Sequence, residues 1–280
     1  MILSNHMALD GNQIQIKVPK CLGRVYTTDL NSSIVKHNDS YYIAYRADKK
    51  PWLILPVIVF AKYDIETNSS YDDKYLYLEN QCFNRCIEFH RLPAPELRGE
   101  DPRLFSYGDK LMMNFTDGFN MYVCQIDLDS FSGLSAFKAT DIQILKPPSL
   151  YKTLNSDADG REKNWVAFIS RNKVHYVYSF NPFVVLDDKS NVLVKKNYDL
   201  SFYTKKYGNI RGGTPSLPYK DGYLCFTHSV FTDRGKKTYG ISCAYHTDRE
   251  LLAIGRNLLV MGDDYYLDEE SQNNPDTPCG

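Results

Sequence analysis

The chain has 280 residues, 43% apolar and 24% charged, with a formal net charge of −1. That balance suits a soluble chain folded as one all-β domain or two smaller ones. It excludes a general electrostatic grip on nucleic acid, which needs a basic surplus.

The N-terminal stretch "MILSNHMALDGNQIQ" has no basic region followed by a long apolar core, so no secretory signal is expected. "SIVKHNDSYYIAYRAD" (33–48) sets a pattern: a short apolar strand, a turn, then an aromatic-rich strand ending in polar residues. "WLILPVIVFA" (52–61) is half a membrane span and is interrupted by Pro56, so it reads as a buried strand and no membrane span is expected. "YDIETNSSYDDKYLYLENQCFNRC" (63–86) has room for a helical turn or two. Cys82, Cys86 and His90 follow at i, i+4, i+8 spacing. Structural zinc wants four ligands, usually from two close pairs, and no second pair is present. The default is therefore buried or idle thiols. Seven cysteines without paired spacing favour reduced thiols and a cytoplasmic location.

The pattern returns in "RLFSYGDKLMMNFTDG" (103–118), "VAFISRNKVHYVYSFNP" (166–182) and "SLPYKDGYLCFTHS" (216–229), with a weaker fifth copy from Tyr239. The turns "HNDS", "YGD", "SRN" and "KDG" carry residues that tolerate positive φ, which is hairpin chemistry. "KPPSLYKTLNSDADGRE" (146–162) reads as an exposed connection, and "DLSFYTKKYGNIR" (199–211) as a place for a short helix. Residues 266–280 are acidic and turn-rich, an expected disordered tail behind a single catalytic domain over 1–265. Repeated hairpins point to propeller blades. A β-sandwich also shows hairpins, but it need not place polar groups at the same end of each. The expected fold is all-β, a five-bladed β-propeller with few short helices.

Equivalent ends of propeller strands gather around the axis. That would bring Arg46, Asp101, Arg103, Asp117, Lys163, Asn164, Arg211 and His228 into one pocket, with Trp165 as an aromatic wall. Several cations beside a carboxylate describe a site for a sugar joined to a phosphate, because Arg forks and Lys meet phosphate oxygens. Each element also has a plainer reading. Glu100 and Asp101 before Pro102 fit a turn with Arg103 as its ion pair, and His228 alone fits a structural histidine.

"GEDPRLF…NFTDG", "EKNWVAF…VYSFNP" and "RGGTPSL…DGYLCFTHS", in that order, resemble the five-bladed propeller enzymes of glycoside hydrolase family 130 and the related β-mannosyltransferases. The similarity spans roughly residues 24–245, and "EDPR" with its downstream Asp is its most specific part. "NSSIVKHNDSYYIAYR" is similar to the first-blade pattern, with Ser32 where the family has proline. The resemblance implies an axial active site acting on β-linked sugars with inversion, a catalytic role for Asp117 and a phosphate-binding role for His228. The sequence departs from the family at Phe180-Asn181-Pro182, where phosphorylases carry His-Arg-Pro, and at Asn209, where a Lys is frequent.

Hydrolysis needs two carboxylates, whereas a phosphate leaving group needs cations and one base. The expectation is therefore an inverting glycosyltransferase, with Asp117 taking the proton of a glycan or oligosaccharide acceptor. Arg103, Arg211, Lys163 and His228 would hold a nucleotide-sugar or sugar-phosphate donor, and Asp101 and Asn164 would position sugar hydroxyls. No cofactor or metal is expected, because no Asp-x-Asp pair stands in a metal-binding context. The alternatives are a β-glycoside (β-mannoside) phosphorylase or hydrolase, and a propeller that binds glycans without turnover.

Overall fold

The computed structural model describes residues 26–49, 57–64, 69–76, 99–128, 138–147, 162–233 and 236–261. The four hairpin repeats are four antiparallel sheets that follow one another along the chain. The first holds β1 (Tyr26–His37), β2 (Ser40–Lys49), β3 (Val57–Asp64) and β4 (Ser69–Leu76). The second holds β5 (Glu100–Tyr107), β6 (Lys110–Thr116), β7 (Met121–Asp127) and β8 (Lys138–Leu145). The third holds β9 (Val166–Ser170), β10 (Lys173–Phe180), β11 (Phe183–Asp187) and β12 (Val192–Lys196). The helix α1 (Ser201–Tyr207) leads to the fourth, built from β13 (Ile210–Gly212), β14 (Leu217–Tyr219), β15 (Gly222–Asp233), β16 (Lys236–His246), β17 (Leu251–Ile254) and β18 (Val260–Met261). The turn chemistry is realised: Asn38, Gly108, Arg171, Asn172 and Lys220 all have φ between 50° and 59°.

The sheets stack face to face, and each interface is a separate core. Between the first two sheets lie Tyr42, Ala44, Phe60, Leu104, Met113, Phe115 and Tyr122. Between the second and third lie Phe105, Met121, Val123, Trp165, Tyr176 and Tyr178. Between the third and fourth lie Phe168, Phe183, Tyr203, Ile210, Cys225 and Ala244. A sheet buried on both faces needs near-continuous apolar strands rather than strict alternation, and "MYVC" of β7 is buried at all four positions. This consecutive stacking of antiparallel sheets, three of four strands and one of six, is the propeller arrangement.

Two expectations are corrected. The segment from Tyr239 is not a fifth copy: β16 pairs with β15 from Tyr223↔His246 to Asp233↔Lys236, so it is the second half of the fourth hairpin. Among the described residues there are four sheets, and none forms a fifth. Within 63–86, residues 69–76 are a strand paired to β3 where a helical turn had room, and 65–68 and 77–86 lie outside the described residues. In "WLILPVIVFA", Ile58 and Phe60 are buried on β3 as expected. The short helix is present as α1, with Tyr203 and Tyr207 buried. Cys82, Cys86, His90, most of the 146–162 connection and the tail at 266–280 lie outside the described residues. Burial pushes the Cys124 and Cys225 thiols up to about 12, so both remain protonated. No helix among the described residues is long and apolar enough to cross a membrane.

Candidate functional site

The first strands of the first three sheets share one local device. Asn31, Asp101 and Asn164 have φ of 55°, 51° and 65°, a left-handed conformation that Asn and Asp tolerate best among residues with a Cβ. Each lies two residues before regular pairing begins or resumes, at Ser33, Arg103 and Val166. In β1 and β5 the ladder slips there, between Leu30 and Ser33 and between Glu100 and Arg103. Such bulges re-aim side chains at strand ends. In the fourth sheet the corresponding strand is β13, whose Arg211 is paired opposite His228. Gly212 follows Arg211 closely against the third sheet, where an added Cβ would collide with the Asn164 carbonyl.

The kinks of the first two blades are joined directly. Asn31 Nδ2 donates to Asp101 Oδ1. Arg46 Nη1 lies 3.3 Å from Glu100 Oε2 and 3.9 Å from Asp101 Oδ1. Arg103 donates to the carbonyls of Asn31 at 3.2 Å and Pro102 at 3.0 Å. Burial lowers the guanidinium's pKa from its ordinary value, and the Asp101 charge opposes that shift. His228 is pushed down to about 4, first by burial and then by Arg103 and Arg211, with Lys163 adding to the effect and Asp101 opposing it. At neutral pH its imidazole is therefore uncharged. The structure thus brings Arg46, Asp101, Arg103, Lys163, Arg211 and His228 together, with Asn164 on the kink beside Lys163.

Two expected residues have other work. Asp117 stands at the same end, since its neighbour Thr116 pairs with Glu100, but its carboxylate organises its own turn. Oδ1 accepts the amides of Phe119 at 2.7 Å and Asn120 at 2.6 Å. Oδ2 accepts the Tyr122 hydroxyl at 2.8 Å and Asn120 Nδ2 at 3.3 Å. With four donors on two oxygens, it has little capacity left to take a substrate proton. Trp165 is not a pocket wall, being 1% exposed. Its ring meets Tyr176 and Tyr178 edge-on at 5.8 and 5.2 Å, so neither face is open to a sugar.

Glu162 was not among the expected residues. It is 2% exposed and accepts the Trp165 indole N–H and the Tyr178 hydroxyl, both at 3.2 Å. Its backbone carbonyl accepts the Thr116 hydroxyl at 2.7 Å. The signal was present: "EKN" leads into the third repeat as "EDP" leads into the second. Among the described residues, no three His, Cys, Asp or Glu side chains converge as a metal site.

No protein-family profile matches the sequence, and no curated protein matches it. Solved structures do. A thermostable family-43 glycoside hydrolase is 12% identical, covering 88% of this chain and 80% of its own, with a TM-score of 0.52. A glycosyl hydrolase from Bacteroides ovatus is 12% identical over 82% of this chain and 71% of its own, with a TM-score of 0.51. An α-L-arabinofuranosidase from Podospora anserina, solved with cellotriose, is 11% identical over 83% and 69%, with a TM-score of 0.50. At these identities the likeness establishes a shared fold.

Proposed function

We propose that the protein is a carbohydrate-active enzyme that cleaves a glycosidic bond in an oligosaccharide, with the reaction at the mouth formed by the four strand ends. The observation that carries this reading is the polar cluster at the strand ends, where Arg46 lies 3.3 Å from Glu100 and 3.9 Å from Asp101, Arg103 donates to the Asn31 carbonyl, and Arg211 is paired opposite His228. The fold it shares with glycoside hydrolases supports the same class. Glu100 and Asp101 both stand among the cations, and of the two we assign Asp101, on the kink, to hand a proton to the leaving sugar oxygen. Asp117 serves as a turn organiser in this reading. The cations suit a phosphate group, and a bound phosphate attacking the anomeric carbon would need only one general acid. Water would require a second carboxylate as its base, for which Glu100, beside Asp101 and 3.3 Å from Arg46, is the candidate.

A glycosyltransferase using a sugar-phosphate or nucleotide-sugar donor is the second reading, because the same cations would hold its phosphate. Incubation with β-linked manno-, gluco- and xylo-oligosaccharides, with and without inorganic phosphate, separates these chemistries. Sugar 1-phosphate formed only with phosphate supports phosphorolysis, and free sugar without it supports hydrolysis. Product formed only from a nucleotide sugar would replace cleavage with transfer. A protein that binds oligosaccharides but converts none under any of these conditions would be a glycan-binding propeller.

A further inference from the structure

The turn between β6 and β7 carries one feature the site description leaves unused. Phe119 is 60% exposed at its tip. Isolated exposed apolar side chains are ordinary on protein surfaces, so exposure alone carries nothing. Phe119 differs because the turn around it is held at every point. The Asp117 carboxylate accepts the Phe119 amide itself. The Asp117 amide donates to the Asn120 carbonyl at 3.2 Å. The Gly118 amide, at a φ of 91°, donates to Thr116 Oγ1 at 2.9 Å. That same hydroxyl reaches the Glu162 carbonyl of the next blade. The turn is thereby tied on one side to Glu100, through the Glu100↔Thr116 pair, and on the other to the segment bearing Lys163.

We propose that Phe119 is a specificity-determining residue, a fixed stacking platform on the rim of the mouth for a pyranose ring one unit away from the bond being broken. This rests on the glycoside-cleaving reading above. A phenyl ring presents a flat apolar face at the cost of only two side-chain torsions, and the C–H face of a pyranose is its natural complement. The hydrogen-bonded backbone beneath lowers the remaining ordering cost. The four donors on Asp117 then have a purpose: they aim Phe119.

The test compares di- and trisaccharides of the β-1,4-linked manno, gluco and xylo series. For whichever series the wild-type protein cleaves, Phe119→Ala should raise KM for the trisaccharide about tenfold. It should leave kcat, the disaccharide KM and the melting temperature near wild type, while Phe119→Trp restores the trisaccharide KM. An unchanged trisaccharide KM in Phe119→Ala overturns the platform while leaving the cleavage reading intact. Equal losses on di- and trisaccharide, or a lowered melting temperature, overturn it as well by showing a structural role. A wild-type protein that cleaves no member of the panel overturns both.

Discussion

The mouth and the joint between the third and fourth blades each hold a histidine pushed down to about 4, but different neighbours surround them. At the mouth, His228 faces charges of both signs delivered by separate blades. At the joint, His246 is fully buried among Phe168, Tyr223 and Phe183, with ring centroids 5.1, 5.6 and 5.9 Å away. Its Nδ1 lies 2.9 Å from the Thr247 carbonyl, which fixes the hydrogen there and leaves Nε2 to accept from Ser216 Oγ at 2.8 Å. The Ser216 amide in turn donates to Ala167 of the third blade at 2.9 Å. At the joint both ring nitrogens are satisfied within apolar surroundings, which makes a fastening. The mouth collects charge from different parts of the chain, as a ligand site does. Equal titration behaviour therefore does not imply equal function; the identity of the neighbours decides it.

The contrast is broken most directly at Asp101. Asp101→Asn keeps the side-chain size, tolerates the left-handed backbone and retains the oxygen that accepts from Asn31. Turnover should fall about a thousandfold while the melting temperature stays near wild type. A large loss of stability with turnover preserved would make the mouth a second joint.

The next largest effect sharpens the joint. His246 in the folded chain holds its proton only below about 4, against an ordinary value of 6.5. Between those values the unfolded chain binds more protons, so stability is fully present above about 6.5 and is lost as pH falls toward 4. The loss should reach roughly 2–3 kcal/mol, read from urea unfolding at pH 7 and pH 4.5. His228 adds a slope of the same sign, so His246→Gln should roughly halve the total, and an unchanged slope would remove His246 as a source.

A smaller effect separates the two aspartates of the second blade. Asp117→Ala strips the acceptor from two backbone amides and from the Tyr122 hydroxyl. It should cost about 2 kcal/mol of stability and leave kcat on a disaccharide largely intact. A loss of disaccharide turnover as deep as that of Asp101→Asn, without unfolding, would return Asp117 to the chemistry.

Much of this was legible in the chain. The turn residues Asn38, Gly108 and Asn172 declared three of the hairpins because few residues accept positive φ. The polar ends of the repeats picked out Arg46 and Asp101, which lie 3.9 Å apart, and Arg211 and His228, which are paired across two strands. Trp165 was misjudged because a residue at a strand start can face either the axis or the adjacent blade. Here it is buried, with Tyr176 and Tyr178 edge-on to its ring. Asp117 was misjudged because the turn residues that compete for its carboxylate, Phe119 and Asn120, look no different in sequence from a free loop.

The amino-acid order by itself determined the repeating strand-turn-strand units and which of their ends are polar, because turn geometry and strand burial are local properties. Only the tertiary structure decided that the blade-equivalent kinks at Asn31 and Asp101 meet, and that Glu100 and Asp101 join the cations while Asp117 closes its own turn. Those outcomes depend on which groups lie across the interface between neighbouring sheets, and residues some seventy positions apart, such as Asn31 and Asp101, become partners only once the sheets stack.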